Sequence, residues 1–168
     1  VMVAITCLVF GMGMPSGPAY ILAALLGAPA LTALGVPLIV AHFFVFYFAE
    51  MSAVTPPVAI GCLVASGMAQ AKFFRTCVES IRLAIAGFVL PFLFIYRPAL
   101  LLQGTAWETI WSVLVVGAFL LCFIVTWEAF FMQPIRLPSR ICFAIAAVCF
   151  LIPIYALDFV GLALLAAL

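Results

Sequence analysis

Charge is what this chain of 168 residues has least of: six basic residues, five acidic residues and one histidine. Soluble domains carry about a quarter charged residues, so 7% leaves too little polar surface to face water on all sides. A net charge of +1 gives no footprint for nucleic acid and no acidic disordered tail. None of the six cysteines forms a C-x-x-C pair, which excludes a clustered thiolate metal site and a secreted disulfide scaffold. They read as small buried hydrophobes. The hydrolytic and phosphate-binding signatures H-E-x-x-H, G-x-S-x-G and G-x-x-x-x-G-K are missing. Gly11-Met12-Gly13 has no strand context for a nucleotide loop. No basic leader with a small-residue cleavage site precedes the first apolar run, and the first residue is Val1. The expectation is a chain that starts within a longer polypeptide. What is present is apolar: 70% of the residues, with a mean hydropathy of +1.49. Cut into stretches of about 20 residues, this length allows roughly five to seven membrane passages.

The apolar runs are interrupted in two places. Residues 1–49 contain no charged side chain, and as one helix they would reach about 70 Å, more than twice the hydrocarbon thickness. They must fold back, and Gly11-Met12-Gly13-Met14-Pro15-Ser16-Gly17-Pro18 marks where. Residues 1–10 are then one limb of a re-entrant hairpin and residues 19–34 the other, with a kink expected near Pro29. Residues 38–71 are also too long for one span, and Thr55-Pro56-Pro57 divides them. Two successive prolines remove two backbone donors, and the second forces the first out of helical geometry. A discontinuous helix follows, with halves 38–54 and 58–71.

Lys72, Arg75, Glu79 and Arg82 share one helical face, so residues 72–82 are expected as an amphipathic interfacial helix. Three further spans are expected at 83–102, 109–127 and 141–157. With the 72–82 segment in the cytoplasm, Lys72, Arg75, Arg82, Arg136 and Arg140 lie inside and Arg97 outside, which satisfies the positive-inside rule. The domain organisation expected is thus 1–71 for hairpin and broken helix, 72–82 for the interfacial helix and 83–168 for C-terminal spans.

Irregular backbone at membrane depth costs several kcal/mol per unsatisfied group unless protein, water or a guest supplies partners. At the first break, carbonyls of residues 8–11 end one half-helix and suit a cation. Amides after Ser16, expected as the N-cap, suit a carboxylate. Ser52, Thr55 and freed carbonyls supply similar parts at the second break. A pair of Gly/Pro-interrupted segments points to the ion and substrate site of a secondary transporter. The alternative is that Pro56 and Pro57 only kink a packed helix.

The same segments resemble a known family. Gly11-Met12-Gly13-Met14-Pro15-Ser16, Ala19-Tyr20-Ile21, Ala28-Pro29-Ala30-Leu31, Gly35-Val36-Pro37, residues 41–48 and Ser52-Ala53-Val54-Thr55-Pro56-Pro57-Val58-Ala59 are similar to the large membrane subunit of the TRAP (tripartite ATP-independent periplasmic) transporters. The likeness is greatest to the fused-permease branch that works with TAXI-type receptors, C-terminal portion. Phe88-Val89-Leu90-Pro91-Phe92 and residues 97–102 also fit that branch. Residues 8–102 carry the resemblance closely and the later spans loosely. It implies an elevator-type symporter of the bacterial inner membrane that takes organic acids from a periplasmic solute-binding protein, driven by sodium or protons. It also implies two inverted repeats, so that this chain, an all-α polytopic membrane protein, holds half a site and needs the remaining N-terminal part of the permease. The lipid bilayer is its surroundings; no nucleic acid, cofactor or metal beyond sodium is expected.

The residues assigned to the coupling ion are Gly11, Gly13, Glu50, Ser52 and Thr55, and those assigned to substrate are Met14, Pro15, Ser16, Tyr20 and Pro56. Glu50 reads as a cation ligand or a protonatable carrier, or else as a residue beside a water-filled opening or paired with a base elsewhere. His42, two turns earlier, reads as a hydrogen-bonded packing residue. Tyr20 faces substrate or packs. Trp107, Trp111 and Trp127 read as interfacial anchors, and Arg97, Glu108, Glu128 and Asp158 as solvated boundary charges. Two other functions fit the pattern: a different sodium-coupled carboxylate carrier with related hairpins, and a non-transporting scaffold or assembly subunit. An enzyme is not expected.

Overall fold

The computed structural model describes residues 1–131 and 133–166. Eight α-helices follow one another: α1 (Met2–Gly11), α2 (Ser16–Ala33), α3 (Leu38–Met51), α4 (Ile60–Met68), α5 (Phe73–Tyr96), α6 (Ala106–Glu128), α7 (Leu137–Leu151) and α8 (Tyr155–Ala166). Short 3-10 turns lie at Ser52–Val54 and Pro98–Leu101, and a two-residue antiparallel ladder follows α6. By length and composition α2, α5 and α6 can each cross a membrane, and α1, α3, α7 and α8 are shorter apolar helices. The chain is an all-α polytopic membrane protein.

It divides into two compact units, Val1–Ile95 and Tyr96–Leu168. In the first, α1 and α2 form a helical hairpin that packs on α3. The reversal takes four residues: Met12 is extended, Gly13 has φ +78°, and Pro15 returns the chain to α2 at φ −62° and ψ 153°. Only glycine adopts a positive φ without a steric penalty from Cβ. Small residues set the packing. A Cβ on Gly27 would stand 2.8 Å from Val45 and 3.0 Å from Cys7 Sγ, so glycine is what lets three helices meet there. Ala4, Ala19, Ala23, Ala41 and Ala49 line the same core. Phe44 and Phe48 fill it and meet Phe92 edge-to-face at 5.4 and 5.6 Å, whereas Phe43 and Phe46 remain exposed. The aromatic density of α3 is therefore divided between core and surface.

The second break lies where the two prolines place it: α3 ends at Met51, one 3-10 turn follows, and α4 starts at Ile60. By contrast α2 continues as one helix through Pro29. The separate interfacial helix expected over 72–82 is instead the start of α5, one helix of 24 residues. Its polar side chains ride on the first turns of a helix whose later turns are apolar, because nothing between Arg82 and Leu83 breaks helical geometry. The two compact units adjoin in sequence at 95/96.

In the second unit α6 packs on α7 and α7 on α8. Thr105 and Glu108 cap α6 reciprocally, each side chain bonding the other's backbone N–H. The span expected over 141–157 is divided: α7 stops at Leu151 and Ile152 turns extended, as the residue before Pro153 must. The six cysteines are unbridged.

Candidate functional site

The hairpin tip and the broken helix meet inside the first unit. A Cβ added to Gly11 would lie 2.5 Å from Ser52 Oγ and 2.6 Å from the carbonyl oxygen of Ala49. The last turn of α1 is therefore pressed against the last turn of α3 at a distance only glycine permits. Gly13 faces the far side of the break, where its Cβ would meet Val58 at 3.5 Å. Ser16 donates its hydroxyl hydrogen to Glu50 Oε2 at 2.8 Å.

That bond corrects the expected role of Ser16. The N-cap of α2 is Pro15, which has no side-chain acceptor, so the first amides of α2 receive no side-chain cap. Ser16 is instead the first helical residue, and its hydroxyl turns outward to the carboxylate. Glu50 thus stands at the negative end of α3 and the positive end of α2. The α2 terminus and Ser16 together offset the field of α3 and of the carboxylate's own burial. They do so on one oxygen only: Oε1 is buried with no hydrogen-bond partner among the described residues.

Ser52 is buried and donates to the Ala49 carbonyl at 2.6 Å, and Thr55 donates to the Met51 carbonyl at 2.7 Å. Their hydrogens are spent on α3, which leaves each hydroxyl oxygen able to act only as an acceptor or ligand. Pro56 is half-buried within the break and has no N–H to give. Met14 packs on the hairpin core, while Pro15 is exposed. Gly11, Gly13, Ser16, Glu50, Ser52, Thr55 and Pro56 therefore belong to one locality. Tyr20 does not: its hydroxyl pairs with His42 Nδ1 at 2.8 Å, eight residues before Glu50 and about 12 Å away along α3. His42 is the hydrogen-bonded residue expected of it.

A second polar cluster, in the C-terminal unit, departs from expectation. Arg97 and Asp158 are buried, 8% and 0% exposed, and join through Nη2 and Oδ1 at 2.6 Å. Trp111 Nε1 donates to Asp158 Oδ2 at 3.1 Å. Neither charge is solvated, and Trp111 is a partner in the cluster as well as an aromatic near a helix end. No local pattern announces a contact across 61 positions. The only sequence signal is an acid placed inside the terminal apolar run.

Among the described residues no group of three or more His, Cys, Asp or Glu is arranged to hold a metal. The polar equipment around the two breaks consists of hydroxyls, carbonyls, helix ends and the Glu50 carboxylate. These parts suit a weakly held alkali cation, a proton or a carboxylate guest. A helical hairpin seated on a broken helix is an arrangement that suits the ion and substrate site of a secondary transporter.

The particular family is established independently. The family model described as tripartite ATP-independent periplasmic transporter, DctM component, matches residues 1–109, and the chain belongs to that family of transporter components. No curated protein and no solved structure matches it. The match takes in the hairpin, the broken helix and Arg97 and stops early in α6, before Asp158.

Proposed function

We propose that this chain supplies half of the transport core of a TRAP permease, taking up organic acids across the bacterial inner membrane with sodium or protons as the coupling ion. A periplasmic solute-binding protein delivers the acid, and the inverted first repeat lies in another part of the permease. The observation that carries this reading is the Ser16–Glu50 contact beside Gly11 and Ser52, which places a carboxylate at the helix end a substrate carboxylate would also occupy.

Two carboxylates at one helix N-terminus repel each other in low dielectric. A cation or proton on the free oxygen of Glu50, shared with the lone pairs of Ser52 or Thr55, removes that repulsion. Substrate then enters at Ser16, Met14 and Pro15. Ion binding precedes substrate binding because the anion alone is costly to bring out of water. Rigid-body movement of hairpin and broken helix would carry both.

The test is uptake of small mono- and dicarboxylates by the full-length permease with its binding protein in proteoliposomes, with and without sodium and across pH. Glu50→Gln is expected to release uptake from its coupling ion, and Ser52→Ala or Thr55→Ala to raise the sodium concentration required about tenfold, the equivalent of one lost charge-assisted contact. Unchanged ion dependence in all three would overturn this assignment of the coupling site.

A further inference from the structure

The buried ion pair of the C-terminal unit leaves one donor unused. Asp158 accepts from Arg97 Nη2 on Oδ1 and from Trp111 Nε1 on Oδ2. A guanidinium edge offers two parallel N–H groups, Nε and Nη2, and a carboxylate that faces it squarely takes both. Because Trp111 holds the second oxygen, Asp158 takes only one. Arg97 Nε is left buried with no hydrogen-bond partner among the described residues. A buried donor in that state costs free energy until an oxygen accepts from it.

Arg97 lines a cavity of about 280 Å³ together with Tyr96, Ala99, Glu108, Tyr155 and Asp158. That is several times the roughly 30 Å³ of one water. Charge restricts the guest. Arg97 and Asp158 cancel, and Glu108 is exposed and tied into the α6 cap through Oε2. A doubly charged phosphomonoester would therefore meet surplus negative charge. A singly charged acceptor with two oxygens fits the spare N–H, helped by the positive end of α6. Position supplies its source. Tyr96, Tyr155 and Trp107 are exposed, residue types that settle at headgroup level, and α6 is long and apolar enough to cross the bilayer. At that level the singly charged, two-oxygen acceptor is the phosphodiester of a phospholipid.

We propose that this cavity binds the phosphodiester group of a membrane phospholipid through Arg97 Nε. Nε is covered by its neighbours, so binding includes a small turn of the guanidinium toward the guest. Because Asp158 already balances Arg97, the site reads the phosphate and not the net charge of the headgroup. The full-length permease, purified and stripped of lipid, is titrated in mixed micelles with phosphatidylethanolamine, phosphatidylglycerol or diacylglycerol of the same acyl chains. Native mass spectrometry counts the bound lipid. The two phospholipids are expected to bind alike and about tenfold more tightly than diacylglycerol, the scale of one charge-assisted hydrogen bond. Arg97→Lys keeps a cation for Asp158 but lacks the Nε–H, and it should remove that advantage. Ala99→Leu should do the same by filling the cavity while leaving the ion pair intact. An advantage that survives in either variant overturns the proposal, as does diacylglycerol binding as tightly as phospholipid. Clear preference for phosphatidylglycerol over phosphatidylethanolamine overturns it too, since net charge would then be what is read. Thermal stabilisation by dimethyl phosphate or inorganic phosphate with no phospholipid advantage would assign the cavity to a soluble oxyanion and overturn the lipid source.

Discussion

Glu50 and Asp158 are both carboxylates placed among apolar helices, and the chain treats them in opposite ways. Asp158 has a guanidinium on one oxygen and an indole N–H on the other. Glu50 has one hydroxyl on one oxygen and, among the described residues, nothing on the other. A carboxylate with a donor on each oxygen is held as a structural element. One held by a single hydroxyl at a helix end keeps an oxygen without a partner among the described residues, which is what the proposed coupling role requires. Burial of an acid in such a protein is thus not by itself a sign of transport chemistry; under the proposed function it is the completeness of its partners that sets Glu50 apart from Asp158.

The largest effect that would sharpen this contrast comes from Asp158→Ala. It leaves Arg97 buried and uncompensated and should destabilise the C-terminal unit by about 3–5 kcal/mol. Unfolding of the purified protein in detergent measures this, and replacing the pair together, Arg97→Met with Asp158→Leu, should recover most of the loss. A loss below about 1 kcal/mol for the single change would mean the pair is solvated, and the contrast would fail.

Gly11→Ala comes next. Its new methyl has no room between Ser52 and the Ala49 carbonyl, so it should cost about 1–3 kcal/mol as overpacking does. It should also weaken ion coupling by parting the tip from the break. Normal ion-dependent uptake in this variant would show that the two breaks act separately.

Tyr20→Phe is the mildest change. It removes the hydroxyl from His42 and should cost about 0.5–1.5 kcal/mol. Ion dependence should be unchanged, since the Tyr20–His42 pair lies apart from Glu50. A shift in the sodium or pH dependence of uptake would extend the coupling site along α3.

Both breaks of the first unit are legible in the sequence, because a positive φ and two successive prolines act through backbone geometry, whereas the single Pro29 stays within α2. Gly13 needed its positive φ, and Pro56-Pro57 could not continue a helix in any surroundings. Where expectation and structure part, the deciding contact is distant or packing overrides composition. The charged residues of 72–82 suggested a separate element, yet nothing breaks the backbone at Arg82–Leu83, and α5 runs on as one helix even through Pro91. Ser16 has the residue type of an N-cap, but the Glu50 carboxylate claims its hydroxyl from 34 positions away.

Composition and the placement of Gly and Pro by themselves determined a helical membrane protein with two interruptions in its N-terminal half. Those are local or additive properties, written residue by residue into transfer energies and allowed dihedrals. Tertiary structure alone decided that the two interruptions touch, that Glu50 keeps an empty oxygen while Asp158 keeps none, and that Arg97 is buried. These depend on which helix faces approach one another, and small-residue packing sets that approach to within a methyl group.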